Sequence, residues 1–210
     1  MGRSMATTIQ EFVTERGIKL LMHFTRASNL TSILARGLVP RDTLALEGFA
    51  EFNDRYRIDG TDAVCLSIDF PNYKMFYGIQ KDHAAETWVI ICINPQVLWD
   101  LDCAFCTANA ASNGVTAIPL NQRKTLTAMQ ALYADWPGKA RSEMNLPNNY
   151  PTNPQAEVLA LQGVPRTYII GVLTLNETIR QELMAKHPGV EMRASAGHFR
   201  YRRDFDHWRG

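Results

Sequence analysis

The clearest early elements are a short helix expected over Thr8 to Arg16, stopped by Gly17, and a strand over Leu20-Leu21-Met22-His23-Phe24-Thr25. Ser28 to Gly37 predicts a second short helix, with Ser28 or Asn29 as its cap, apolar residues at helical spacing and a closing glycine. Val64 to Ile68, Thr87 to Ile93 and Tyr168 to Leu173 are strand candidates rich in β-branched residues. Val158-Leu159-Ala160-Leu161 is a further apolar run, expected to be buried as a strand. Asn121 to Tyr133 and Asn176 to Lys186 carry helical periodicity.

Residues 41 to 62 break this regularity. They are polar, Asp- and Arg-rich and without a sustained period, which predicts a long functional loop. Residues 135 to 154, "DWPGKARSEMNLPNNYPTNP", form a second turn-rich stretch that leads directly into Glu157. No internal repeat or low-complexity segment interrupts the pattern. The expectation is a mixed α+β domain with short strands and long loops on one side, where a site is usually built.

Composition adds bounds. A chain of 210 residues is one ordinary domain or at most two small ones, and 46% hydrophobic residues suffice for a sizeable core. The formal net charge of +1 gives no global positive field, leaving only local basic patches. The longest apolar run, Trp88 to Ile93, is strand-sized rather than membrane-spanning. The first 24 residues contain Glu11 and Glu15 and lack a signal-peptide core, with Met5 open as the natural start. Cys65, Cys92, Cys103 and Cys106 lie mostly in apolar strand-like settings, as expected of reduced thiols in the cytoplasm. The Cys103-Ala104-Phe105-Cys106 pair has no second ligand pair to complete a zinc site, so it reads as packing and no metal is expected.

Dinucleotide-fold, P-loop and α/β-hydrolase motifs are absent from the sequence. Glu157 opens the apolar run at 158, where a carboxylate must stay solvated, find a partner or be used. His23 ends an apolar strand two residues before Thr25, so both side chains project to one face; taken alone, a core histidine satisfied by a carbonyl explains it better. Arg57 in "NDRYRIDG" is by default a solvated loop charge, although a guanidinium suits phosphate. "FPNYKMFYG", residues 70 to 78, is either a helix on the core or a wall for a flat ring. The C-terminal "HFRYRRDFDHWRG" interleaves arginines and aromatics, as a single-strand groove does, or is a final strand with an exposed tail. Arg123, Lys124, Lys139 and Arg141 form a second basic cluster.

In combination the order "HFT…NLTSILARGL…NDRYRIDG…SIDFPNYKMFY…PQAEVL…VP" resembles the DarT family of ADP-ribosyltransferase toxins, over roughly residues 20 to 173. The resemblance implies one ADP-ribosyltransferase-like domain over 1–210, a mixed sheet core with flanking helices and long substrate loops, preceded by an N-terminal helix or extension at 1–19. It implies an enzyme that takes NAD as cosubstrate, expels nicotinamide and attaches ADP-ribose to a base of single-stranded DNA. A cognate antitoxin, a macrodomain hydrolase or a neutralising protein, is the implied partner, and no membrane is involved. The family's His-x-Thr falls on His23, Phe24 and Thr25, with Ser32 on the next helix as a further cofactor contact. Its catalytic glutamate falls on Glu157 and its loop arginine on Arg57, with Arg55 the alternative. Tyr73 and Tyr77 are the candidates to stack on nicotinamide. The substrate-recognition loop corresponds to about 104–156, with Thr107, Asn109, Arg123 and Lys124 as substrate contacts together with Arg202.

One departure bears on the acceptor. Thymine-modifying members carry Thr-Asp-Arg-His where this chain has "CTANAAS" at 106–112: Thr107 is kept, and Ala108 and Ala110 replace the Asp and His. Alanines cannot read a thymine edge, so a purine, guanine ahead of adenine, is expected instead. RNA as acceptor, protein as acceptor, and a catalytically inactive nucleic-acid-binding module of the same fold stand as alternatives.

Overall fold

The computed structural model describes residues 6–47 and 61–209; Arg55 and Arg57 lie outside the described residues. Eight helices and seven strands are described. The helices are α1 (Ile9–Arg16), α2 (Leu30–Arg36), α3 (Arg41–Leu46), α4 (Tyr73–Asp82), α5 (Val97–Asp100), α6 (Asn113–Thr116), α7 (Leu126–Ala131) and α8 (Glu177–Lys186). The strands are β1 (Leu21–Arg26), β2 (Val64–Ile68), β3 (Trp88–Ile93), β4 (Cys103–Cys106), β5 (Glu157–Ala160), β6 (Ile169–Thr174) and β7 (Met192–Ala194).

Local chemistry explains the ends of these elements. Thr8 and Glu11 form a capping box that satisfies first-turn N–H groups of α1, and Gly17 closes the helix in the left-handed conformation. Asn72 caps α4 by accepting from the Met75 N–H, and Thr125 caps α7 in the same way from Ala128. That second cap divides the helix expected over 121–133 into a 3-10 turn, Leu120–Lys124, and α7. The stretch 104–156, expected as a substrate loop, is largely folded: it holds most of β4 and all of α6 and α7, and buries Met129, Leu132 and Tyr133 in the main core. Within the polar stretch 41–62, α3 is a regular element.

The strands form one sheet in the order β4-β5-β2-β1-β3-β6-β7, antiparallel except for β6 with β7. Strand alternation sorts the side chains onto two faces. Leu21, Leu66, Ile91, Phe105 and Val158 join the main core on one face. On the other, Met22, Ile90 and Phe76 pack in one cluster, and Ala104, Cys106, Ala110 and Leu159 in another. The same alternation separates Cys103 from Cys106, which fall in clusters on opposite faces and cannot share a metal. Burial pushes the Cys103 thiol up to about 12, as befits an inert packing residue.

The sheet is uneven at its centre. β1 pairs with β3 over all six of its residues but registers with β2 only at Leu21 and Met22. From His23 onward the two strands diverge, and the sheet opens between the half carrying β1 and the half carrying β2, β5 and β4.

Candidate active site

Glu157 is the first residue of β5, opposite Cys106 of β4. It is only 5% exposed, and both oxygens are engaged: Asn72 Nδ2 donates to Oε1 at 3.2 Å and the Ala110 backbone N–H to Oε2 at 2.8 Å. These bonds, one on each oxygen, orient the carboxylate. Charge-assisted bonds of this kind contribute about 1.5–3 kcal/mol each, which offsets part of the cost of burial. Asn72 is itself fixed, since its backbone N–H donates to Ser67 Oγ at 3.0 Å while its side chain caps α4.

The chain leading into Glu157 is held as firmly. Asn148 donates to the Glu15 and Arg16 carbonyls, and Asn149 to Asp69 at 2.8 Å. Arg202 donates to the carbonyls of Pro151 and Thr152 at 2.8 and 2.7 Å, and Arg141 reaches Pro147 and Thr152. Asp69, in the left-handed region at φ 55°, turns the chain after β2 and also accepts from the Lys19 and Leu20 N–H groups. Burial raises its carboxyl above the usual range, against the pull of the bonds from Asn149, Leu20 and Lys19. Asn72 and Asp69 were not singled out from the sequence, and Ala110 only as a replacement for a histidine; an asparagine ahead of a helix and a backbone N–H carry no signal there.

His23 lies where the sheet opens. Its Nδ1 is 2.9 Å from the Cys65 carbonyl, which can only accept, so the proton sits on Nδ1 and Nε2 is the acceptor of the neutral ring. Burial holds the ring's pKa below the usual value, against the smaller upward pull of that carbonyl, and keeps it neutral near pH 7. Thr25 Oγ1 accepts from Asn29 Nδ2 at 3.0 Å, which leaves its hydroxyl proton for a second bond. Phe24 stacks on Phe76, with centroids 4.5 Å apart, and lies 11° from parallel to the His23 ring at 6.4 Å. Ser32 is half-buried on α2.

Three expected substrate contacts are relocated. Arg202 does not face solvent: it is buried in a bidentate pair with Asp204, whose carboxylate also accepts from Trp208 Nε1. Arg123 is 5% exposed, donates to Cys106 Sγ at 3.5 Å and leaves Nε with no partner among the described residues. Lys124 pairs with Asp102 at 2.6 Å and lines a surface groove of about 390 Å³ with Thr8, Leu98 and Trp99. That groove is at the Cys103 end of β4, three residues and about 10 Å of strand from the Cys106–Glu157 pair. Tyr73 is 2% exposed and packed by Tyr201 and Phe205, so it offers no open stacking face; Tyr77 is exposed but meets Tyr201. Thr107 is half-buried just beyond β4, and Asn109 folds its side chain onto the Ala111 N–H. Among the described residues no cluster of ligating side chains could hold a metal ion.

A mixed seven-stranded sheet with flanking helices is an α+β arrangement, and solved structures share the fold. The fold is similar to that of Thermosipho africanus DarTG in complex with ADP-ribose, at 15% identity and a TM-score of 0.55, over 86% of this chain and 51% of that one. It is similar to Thermus sp. 2.9 DarT in complex with NAD+, at 14% identity and a TM-score of 0.52, over 87% and 98% of the two chains. The same Thermus protein in complex with ADP-ribosylated ssDNA matches at 15% identity and a TM-score of 0.53, over 88% and 97%. The chain thus spans about half the length of the Thermosipho protein and nearly all of the Thermus one. The sequence matches the family described as DarT, ssDNA thymidine ADP-ribosyltransferase, over residues 22–201. The chain belongs to the DarT family. A comparison with curated proteins finds no match.

Proposed function

We propose that this protein transfers ADP-ribose from NAD to a base of single-stranded DNA and releases nicotinamide. The observation that carries the reading is Glu157, buried at the head of β5 with both oxygens held, in a chain that matches the DarT family over residues 22–201. The nicotinamide–ribose bond breaks with its electron pair leaving on nicotinamide, and positive charge develops on the ribose. A ring nitrogen of the base forms the new bond and gives up its proton. Glu157, accepting from a ribose hydroxyl, holds more tightly as that charge grows and so favours the transition state over bound NAD. His23 Nε2 accepts from a hydroxyl of NAD, and the Thr25 hydroxyl donates to its carboxamide. Arg57, with Arg55 as the alternative, neutralises the pyrophosphate.

Thymidine replaces the expected purine as the proposed acceptor, because the family description names it. The loss of Asp and His at 108 and 110 does not remove the contact the segment makes with Glu157, since that contact is a backbone N–H that any residue but proline supplies. RNA falls behind, as both the family description and the Thermus complex name single-stranded DNA. The Thermosipho relative, DarTG, favours a toxin role in defence with an antitoxin partner. Four cysteines outside any disulfide fit a cytoplasmic enzyme.

The test is labelled NAD with thymine-only and guanine-only oligonucleotides, each as DNA and as RNA, read by mass spectrometry. Mass gain on thymine DNA is expected. Gain on guanine strands or RNA alone would overturn the acceptor, and label on protein alone would overturn the function.

A further inference from the structure

Tyr77 and Tyr201 are the aromatic rings left substantially exposed among the described residues, at 51% and 43%, and they touch, with centroids 5.2 Å apart. Scattered apolar residues on a surface are ordinary, but adjoining exposed rings are not. Beneath them the ring set continues. Tyr201 lies on Phe205, 16° from parallel with centroids 4.0 Å apart, and buried Tyr73 meets both rings edge-on.

This surface is rigid. Arg202, next to Tyr201, is buried against Asp204 and the carbonyls of Pro151 and Thr152, and the Phe205 N–H donates to the Arg202 carbonyl at 3.0 Å. The chain bearing both rings is therefore anchored on either side, and a ligand laid on it has little ordering to bring about. It is also cationic. Arg200 and Arg203 are exposed in the same segment, while Asp204 is buried and neutralised by Arg202, and Asp206 is paired with Arg209 at 2.9 Å. Lys74 adds a further cation on α4.

Its position ties it to the reaction. Asn72 at the start of α4 holds Glu157, and Tyr77 is five residues further on, about 7.5 Å along the helix axis. We propose that Tyr77, Tyr201 and Phe205 form a stacking platform for a base flanking the acceptor in single-stranded DNA, an inference that rests on the DNA reading above. Every base has a π-face, so the platform adds affinity without fixing sequence, and the surrounding arginines follow the phosphates.

The test is fluorescence anisotropy with a labelled thymine-rich single-stranded oligonucleotide, comparing the parent with Tyr201→Ala, Tyr201→Phe and the double variant Tyr77→Ala/Tyr201→Ala, with NAD affinity followed by calorimetry. Tyr201→Ala is expected to weaken DNA binding about tenfold, Tyr201→Phe to retain it, and the double variant to weaken it further, all with unchanged NAD affinity. The salt dependence should stay parallel to the parent's, because stacking releases no counterions. DNA affinity in the double variant equal to the parent's would overturn the platform while leaving the function intact. A parent that binds NAD but no DNA would overturn both. Concentration-dependent dimerisation lost in the double variant, with DNA affinity unchanged, would assign the face to a second copy and overturn the proposal.

Discussion

Two segments meet Glu157, and they are built differently. Residues 147–156 enter it from the N-terminal side, tied by hydrogen bonds to Glu15, Arg16, Asp69, Leu132, Arg141 and Arg202, with Thr152, Asn153 and Pro154 buried. Residues 107–118 approach its carboxylate from beyond β4 in short turns. Their hydrogen bonds are mostly local, such as Ser112 N–H to Asn109 O and Val115 N–H to Ser112 O, and the stretch 116–119 is exposed. Ala110 supplies the long-range bond, and it goes to Glu157 itself. The first segment fixes a charge in place, which transition-state stabilisation requires. The second carries little of the framework, so its side chains are free to vary with the acceptor.

The largest effect should come from breaking the clamp on the rigid side. Arg202→Ala leaves Asp204 buried without its cation and frees the Pro151 and Thr152 carbonyls, a loss of about 3–5 kcal/mol in urea unfolding. A loss under about 1 kcal/mol would mean the segment is held by something else. Next comes the anchor of the carboxylate. Asn72→Ser keeps a helix cap but removes the donor to Glu157, so stability should fall by about 1.5–3 kcal/mol while kcat falls about tenfold or more. The KM for NAD should move little; a matched rise in KM at constant kcat would make Asn72 a binding residue instead.

Protonation of His23 gives a smaller effect. Its pKa is lowered in the folded state by burial, so its unfolded form takes the proton more readily. The neutral ring's contribution is complete above about pH 6.5 and is lost as pH falls from there towards the lowered folded value, by at most about 1.4 kcal/mol per pH unit. His198, also lowered by burial, adds a slope of the same sign. Denaturation at pH 7.5 and 5.5 should show the decline, and His23→Gln should flatten part of it; an identical slope in that variant would contradict a buried neutral His23. The smallest stability effect belongs to the variable side. Thr107→Val should leave stability within about 0.5 kcal/mol yet change the ratio of thymine to guanine labelling. An unchanged ratio would remove Thr107 from the acceptor site.

Much of this was legible where the cause is local. Val64–Ile68 and the strands near Trp88 and Ile169 follow from runs of β-branched residues, and α1 from its cap and terminal glycine. Glu157 stood out because a carboxylate opening an apolar run has few neutral explanations. The four-residue "CAFC" strand is too short for periodicity to mark it, although its cysteines read as packing residues. The turn-rich 135–154 looked loose because its partners, Arg16, Asp69 and Arg202, are distant in sequence. The C-terminal arginines and aromatics left a groove and a final strand with an exposed tail both open; the segment instead folds into 3-10 turns that set Arg202 inward and Tyr201 outward, a division no spacing rule foretells.

The most direct test of Glu157 as the catalytic carboxylate is single-turnover transfer from NAD to a thymine-containing single strand by Glu157→Gln, read by mass spectrometry alongside Tm and NAD affinity. The exchange removes charge and almost no volume, so the rate should fall by about 10²–10³ or more with Tm and NAD affinity nearly unchanged. A variant that labels DNA within tenfold of the parent rate would contradict the account and return Glu157 to a structural role.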